Sequence, residues 1–538
     1  MSLDQTPINQ LITDNIDTWT STVKTKATTG RGSSKKLELY GVKKLRELIL
    51  ELAVRGKLVP QDPNDEPASV LLERIAAEKA QLVKEKKIKK PKALPVIEDG
   101  EKPFELPQGW EWVKIGQICN VQAGFAFKSK DFNEVGFGMP LIRIRDVGQE
   151  FSGTFFSGDY RSEFVVERGD YLISMDGNFR VAPWLGGPAL LNQRVSRLQF
   201  FRGELEESYI AASLQFKLTK LQGVKAYTTV DHLSGGQISN SVIALPPLAE
   251  QHRIVAKVDE LMALCDQLEQ QTDASLDAHQ VLVETLLATL TNSQDATELM
   301  ANWARISEHF DTLFTTEESI EQLKQTILQL AVMGKLVNIG EKKETLLKSV
   351  LTFGPRNGFS PKESSTETYL KVLKLGATSY GVLDLKQSKF IDVDISDKPH
   401  LYLNRGDILI QRGNSANFVG SNVLIQESYS DYIYPDLMMK LRVNDEVLPE
   451  YVSLLLSSKF SREHMWSQMT GTSGTMPKIS KKVVEGVPII FPVCLEVQKI
   501  ILEKYNELID VCELLMAGLN SLECTKVNLT DAIVEQAV

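Results

Sequence analysis

A fifteen-residue segment occurs twice in this chain. Residues 45–59 (LRELILELAVRGKLV) return as residues 323–337 (LKQTILQLAVMGKLV), identical at ten of fifteen positions, which chance does not produce in 538 residues. In the first copy Leu45, Leu48, Ile49, Leu52 and Ala53 fall on one helical face, and Gly56 stops the helix. Arg168-Gly169-Asp170, followed by an apolar strand, recurs as Arg405-Gly406-Asp407 before Ile408-Leu409-Ile410. Each half therefore reads short helix, mixed domain, long helix. Repeats roughly 240 to 280 residues apart are too long for a solenoid and predict two related modules.

The long helices are the third repeated element. In residues 496–533, Ile501, Tyr505, Leu508, Cys512, Leu515, Leu519, Leu522, Leu529 and Ile533 step by four and three, with Lys526 breaking the line. Residues 250–290 keep that register at Ile254, Val258, Leu261, Cys265 and Leu268, lose it at Thr272, Ser275 and His279, and regain it at Leu282 and Leu286. This spacing is the seam of a helix lying along another helix, although two ordinary core helices fit it as well. About forty residues of helix span roughly 60 Å. The expected fold is α/β in the α+β sense: two globular mixed domains joined by two long antiparallel coiled-coil helices, an internal tandem repeat with pseudo-twofold symmetry.

Between these landmarks, residues 69–87 predict a second helix, which runs into a lysine-rich stretch, residues 84–92. That stretch fits phosphate contact or a solvated helix end. Residues 141–145 (LIRIR) alternate apolar and basic, which puts Arg143 and Arg145 on one face of a strand. Residues 291–316 read as a loose connection before a helix near Ile320.

Charge and motif content narrow the chemistry. A net charge of −10 argues against a general polyanion binder, so any nucleic-acid contact rests on local basic patches or on partner subunits. No run of apolar residues is long enough to cross a membrane, and residues 1–20 lack a signal pattern, which predicts a cytoplasmic protein. The five cysteines form no metal spacing, and the six histidines (His232, His252, His279, His309, His400, His464) are isolated, so no metal or cofactor is expected. The stretch TTGRGSSKK, residues 28–36, lacks nucleotide-loop spacing. An amino-methyltransferase needs Asn/Asp-Pro-Pro-aromatic, yet Pro246-Pro247 is flanked by Leu245 and Leu248. A magnesium nuclease needs Pro-Asp followed by Glu-x-Lys, and Pro435-Asp436 has no such partner. The chain is expected to be non-catalytic.

The segments PPLAEQHRIV (residues 246–255), LPQGWEW (106–112) and GFAFKS (124–129) resemble the specificity subunit of type I restriction-modification enzymes, and ELAVRGKLVP (51–60) is similar to the extended N-terminus, type IB-like subfamily. The resemblance covers essentially the whole chain. It implies a helical region at 1–104, target-recognition domains at 105–249 and 346–493, a central helical spacer at 250–345 and a C-terminal helix at 494–538. It also implies double-stranded DNA as target, read at a bipartite gapped site, with two methyltransferase subunits bound to the helical regions and restriction subunits joining that core. The second half departs from the pattern: it lacks the Leu-Pro-x-Gly-Trp-x-Trp approach, and FPVCLEVQ (491–498) replaces the PPLAEQ junction with an offset of one residue.

Under that resemblance, base reading falls to loops that present arginine, lysine, asparagine or glutamine. The candidates are Lys128, Arg143, Arg145, Asn178 and Arg180 in the first domain, and Arg412, Asn414, Asn417 and the segment from Thr472 to Lys478 in the second. Arg168 and Arg405, repeated together, are expected to be structural. The competing reading is a coiled-coil scaffold that binds only proteins. Arg180→Ala or Arg412→Ala is expected to relax or abolish site choice while subunit assembly survives, as read from the methylated sequences in a host genome; an unaltered recognised sequence overturns the loop assignment.

Overall fold

The computed structural model describes residues 8–26, 36–86, 88, 93–201, 205–222, 233–471 and 476–538. Most of the lysines of residues 84–92 lie outside them, as do residues 28–35, His232 and Thr472. The chain divides into two units: residues 1–24, 39–272 and 526–538, and residues 25–38 and 273–525. No helix is long and apolar enough to cross a membrane among the described residues.

In the first unit the repeated segment forms the helix Tyr40–Val54, whose Leu45, Leu48, Ile49 and Leu52 are buried. They share a core with Ile254, Leu261 and Cys265 of the long helix Leu248–Asn292 and with Ile533, Val534 and Ala537 of the long helix Leu495–Ala537. In the second unit the helix Glu317–Val332 buries Ile320, Leu323, Ile327 and Leu330 against Val283, Leu287 and Leu290 of the first long helix and Cys512 of the second. In each unit the beginning of one long helix meets the end of the other, so the two run in opposite directions. Gly56 and Gly334 end the short helices at φ of 69°, the left-handed conformation that glycine adopts without strain.

Polar contacts repeat as closely as the cores. Arg46 bonds Asp266 at 2.6 Å and Glu269 at 2.9 Å on the first long helix, while Lys324 bonds Glu513 at 2.7 Å on the second. Lys335 donates to the main-chain carbonyls of Thr291 and Ser293 at 2.6 and 2.8 Å, at the C-terminal end of the first long helix. Lys57 does the same to Val538 at the end of the second. A cation on the last carbonyls of a helix meets the negative end of its dipole.

The long-helix seams differ from the four-and-three reading. The buried positions run Ile254, Leu261, Cys265 and Leu268, then Val283, Leu287 and Leu290, whereas Leu282 is half-exposed. In the other helix Leu522 and Leu529 are each 50% exposed, and Thr530 is buried instead, donating to Thr22 at 3.1 Å while its own hydroxyl also reaches Lys526. The cause is geometric. A straight helix drifts about 20° per heptad from a 3.5-residue repeat, which amounts to about one residue over five heptads. Ile254 and Leu290 are 36 residues apart, ten turns of an unsupercoiled helix. A second difference lies after Asn292: residues 291–316 are mostly helical, Ala296–Glu308 and Phe310–Leu313, with Asp295 accepting from the Glu298 amide at 2.9 Å as an N-cap.

Each unit carries the same sheet plan. A two-stranded ribbon leads, Glu111–Lys114 with Val242–Leu245 in the first and Lys342–Leu346 with Pro488–Pro492 in the second. A four-stranded antiparallel sheet follows, in the order Val181–Pro183, Tyr171–Ser174, Val195–Phe200, Cys119–Ala123, matched by Asn422–Leu424, Ile408–Gln411, Met438–Val443, Leu351–Asn357. A second sheet in each contains one parallel pair, Met139–Ile142 with Ala189–Leu191 and Lys371–Leu373 with Tyr429–Ile433.

The junction between ribbon and long helix is held by one glutamine in each unit. Gln251 is fully buried, donates to the Pro246 carbonyl at 2.9 Å and accepts from the Glu206 amide at 3.0 Å. Gln498, equally buried, donates to the Pro492 carbonyl at 2.8 Å and accepts from the Leu448 amide at 2.9 Å. The extra residue of the second junction sits between these anchors without altering them. In the first unit alone, Glu250 accepts from the Trp110 indole at 2.9 Å and from Gln61 at 2.6 Å, and burial pushes its carboxyl above the usual range. Pro107 and Trp110 lie over Gly56, and Ile339 takes that place over Gly334.

The repeated Arg-Gly-Asp turn works through its aspartate, contrary to the expectation for the arginines. Arg168 and Arg405 are exposed. Asp170 accepts from Arg197 at 2.9 Å and from the Glu167 amide at 2.8 Å. Asp407, fully buried, accepts from Lys440 at 3.0 Å, Arg442 at 2.6 Å and the Asn404 amide at 2.8 Å. Burial pulls the Lys440 ammonium below its usual range, against the raising effect of Asp407. Breaking a buried pair costs about 3–5 kcal/mol, an exposed one about 0–1 kcal/mol. Asp407→Asn is therefore expected to lower protection from hydrogen exchange in Ile408–Gln411 and Met438–Val443 by the equivalent of about 3–5 kcal/mol, and Arg405→Ala by less than about 0.5 kcal/mol. Equal effects of the two substitutions overturn the assignment.

Candidate nucleic-acid interface

In the first unit three segments meet at one end of the strands of the four-stranded sheet. The strand Tyr171–Ser174 ends on a buried serine whose Oγ donates to the Asn178 carbonyl at 2.7 Å and accepts from the Arg180 amide at 2.8 Å. That closes residues 175–180 into a loop with Phe179 buried inside, Asn178 exposed and Arg180 half-buried. Neither Asn178 nor Arg180 has a side-chain partner among the described residues. The Met175 amide donates to the Arg194 carbonyl at 3.0 Å, which brings in residues 192–194. The third segment begins at Gly124, where a Cβ would stand 2.0 Å from the Asn192 carbonyl oxygen. Only glycine allows that approach, from which the Phe125 amide reaches Leu191 at 2.9 Å and Lys128 projects into solvent. Phe125 is 41% exposed, with the Arg161 guanidinium 5.3 Å above its ring.

The second unit builds the same cluster from different residues. Gln411 occupies the place of Ser174: fully buried, it donates to the Leu375 carbonyl at 2.8 Å and accepts from Asn414 at 2.7 Å. Gly358 repeats Gly124, a Cβ there standing 2.0 Å from the Tyr434 carbonyl oxygen, and Phe359 donates to Tyr434 at 3.0 Å as Phe125 does to Leu191. Lys362 thus stands where Lys128 stands, and it is exposed. Lys362 is not among the candidates named from the sequence. The signal was present as the shared spacing Gly-Phe-x-x-Lys in residues 124–128 and 358–362.

The other candidates divide by what they touch. Arg412 is half-buried, has no ion-pair partner among the described residues, and its Nε is buried without an acceptor. Asn414 is engaged inside its loop on both sides, donating to Gln411 and accepting from the Ser415 amide at 2.7 Å. Asn417 is exposed while its main-chain carbonyl accepts from Arg462 at 2.6 Å. Lys478 is exposed, its backbone bridged to Gly413 and Thr470. Thr472 lies outside the described residues.

Arg143 and Arg145 do not share a strand face. The strand ends at Ile142, and Ile144–Asp146 is a turn of 3-10 helix because Asp146, buried, accepts from the Arg143 amide at 2.7 Å and the Ser152 amide at 2.7 Å. The local carboxylate overrides the alternating pattern. Arg145 bends to Ser152 at 2.8 Å and Thr154 at 3.1 Å, and Arg143 stays exposed. No cluster of metal-ligating side chains occurs among the described residues.

Residues 107–278 match the family model for the type I restriction modification DNA specificity domain. The chain is 36% identical to the EcoEI specificity subunit of Escherichia coli over 99% of its own length and 100% of that protein's. It is 37% identical to the EcoAI specificity subunit of Escherichia coli, again over 99% and 100%. A chain from a solved structure on complex assembly and conformational transition of the type I R-M system covers 81% of this one at 20% identity and a TM-score of 0.47. With a third of its residues identical to such subunits from end to end, this chain belongs to the specificity subunits of type I restriction-modification enzymes.

Proposed function

We propose that the chain reads a bipartite DNA site, one half with each of its two sheet-rich regions, and lends that choice to catalytic subunits. Residues 105–249 and 346–493 are the two target-recognition domains. The helical regions at 1–104, 250–345 and 494–538 carry two methyltransferase subunits, with restriction subunits joining that core, in the cytoplasm. The observation that carries this reading is the loop cluster built twice on one sheet plan. Its side chains differ between the copies, as they must if each reads a different word. A scaffold for proteins alone has no use for such a pair.

Roles follow from exposure. Arg180 and Arg412, half-buried and without a side-chain partner among the described residues, suit base edges, where each good bidentate contact discriminates by about 1–3 kcal/mol. Arg143, Lys128, Lys362 and Lys478 are exposed cations suited to phosphates, which position the protein without carrying sequence information. With a net charge of −10, such local contacts have to be supplemented by positive surface from the partner subunits. Methyl transfer and cleavage belong to those partners.

A base-modification map of the host genome with and without the gene tests the reading. Loss of methylated adenine at one gapped two-part motif is expected; an unchanged map from an expressed system overturns it. Lys128→Ala or Lys362→Ala in the assembled complex is expected to weaken binding about equally across sequences and to lower the salt slope by about one. A change in the preferred bases overturns the phosphate assignment.

A further inference from the structure

Each candidate reading loop is gripped from behind by a helix of its own unit. In the first unit Gln215, on the helix Glu207–Gln222, accepts from the Val181 amide at 2.6 Å and donates to the Phe179 carbonyl at 3.1 Å. One amide side chain thereby holds the main chain on both sides of Arg180. In the second unit the helix Lys459–Trp466 supplies the grip. Arg462 donates to the Asn417 carbonyl at 2.6 Å and the Ser421 hydroxyl at 2.8 Å, and its guanidinium lies 5.0 Å from the Trp466 ring. The Trp466 indole donates to the Val419 carbonyl at 2.9 Å.

The residue types and the individual atoms bonded differ between the two grips, yet both take hold mainly of loop backbone. Arg462 also stands in an environment that disfavours it. It has no carboxylate partner among the described residues, its Nε is buried without an acceptor, and burial pushes the guanidinium down to about 10. A cation kept under those conditions is kept for its fork of donors and its flat stacking face. Main-chain grips leave the exposed Asn178 and Asn417 side chains uncommitted, so the loop's path is fixed independently of what its side chains read.

We propose that Gln215 in the first domain, and Arg462 with Trp466 in the second, are positioning residues that set the path of each reading loop and so determine the DNA sequence chosen without touching DNA. The proposal rests on the DNA-reading assignment above. It separates loop placement from base contact, and it predicts that the two halves of the site respond independently.

The test uses the full chain assembled with its methyltransferase partners and a DNA library with each half-site randomised in turn, read as methylated sequences. Gln215→Leu is expected to lower discrimination between cognate and singly mismatched bases about tenfold in one half of the site, leaving the other half as in the wild type. Arg462→Gln is expected to do so in the opposite half, with Arg462→Lys intermediate because it keeps the charge and loses the fork. Trp466→Phe removes the bond to Val419 while keeping a smaller ring beside Arg462, and shifts the same half as Arg462→Gln; with Gln215→Leu it decides the matter if Arg462→Gln fails to assemble. Reduced methylation with unaltered preferences in both halves means a merely structural role and overturns the proposal, as do unaltered preferences at full activity. A wild-type complex with no sequence preference overturns the DNA-reading assignment itself, a separate outcome.

Discussion

The structure depends on a short helix that binds two long ones at once. In each unit the repeated segment presents leucines and isoleucines to both long helices and a lysine to the C-terminal end of one of them. Burying each such aliphatic side chain stabilises by about 1.5–3 kcal/mol, whereas the ion pairs from Arg46 and Lys324 reach largely exposed carboxylates and contribute about 0–1 kcal/mol. The apolar seam therefore supplies the stability. The charges select direction and register, because a lysine on the last carbonyls of a helix favours that end over any other point along it. Ten identities in fifteen positions are the record of one segment meeting both demands twice.

Onto that frame each sheet-rich region is tied at its junction by one buried glutamine. Gln251 and Gln498 tie the last ribbon strand to the first turn of a long helix and also to the helix that follows the sheet. An unpaired buried amide costs about 1–3 kcal/mol, so the side chain that satisfies two main-chain groups at a corner is not freely exchanged. The same economy recurs at the loops. Ser174 and Gln411, buried at the ends of matching strands, hold main-chain or side-chain atoms of the residues beyond them. The path of each loop is set by buried polar groups, and the outward side chains are left to vary.

Much of this was legible in the sequence, for physical reasons that also explain the failures. The short helices, the long helices and the duplication announce themselves because helical burial imposes a period over many residues. The seam positions late in both long helices were misassigned because a heptad template differs from a 3.6-residue helix by little per turn and by a whole residue over five heptads; Leu529 and Thr530 exchange roles on that account. Arg143 and Arg145 were misplaced because a buried aspartate four residues past the strand outcompetes an alternating pattern of five residues. The arginines of the Arg-Gly-Asp turns drew attention by their charge, yet the partners of Asp170 and Asp407 lie 27 to 35 residues away in sequence, beyond any local signal. Lys362 was within reach, since its spacing from Gly358 repeats that of Lys128 from Gly124, but only the shared close approach of those glycines makes the spacing meaningful.

The divergence of the second half follows the same logic of coupled parts. The first unit pairs the buried Trp110 and Glu250 by a hydrogen bond, with Gln61 reaching Glu250 from the surface and Pro107 and Trp110 over Gly56. A buried carboxylate without its indole partner is costly, and an indole without an acceptor leaves its N–H unsatisfied. Neither can be lost alone. The second unit has lost both: Val497 follows the extra residue of the junction, the tryptophan-bearing approach is missing, and Ile339 covers Gly334. What survives in both copies is the set of groups that hold main chain, namely the junction glutamine, the close-approach glycine and the aspartate of the turn. A duplicated reader can change every group that faces its target, and it can shed a whole coupled cluster, provided that the groups holding its backbone stay where they are.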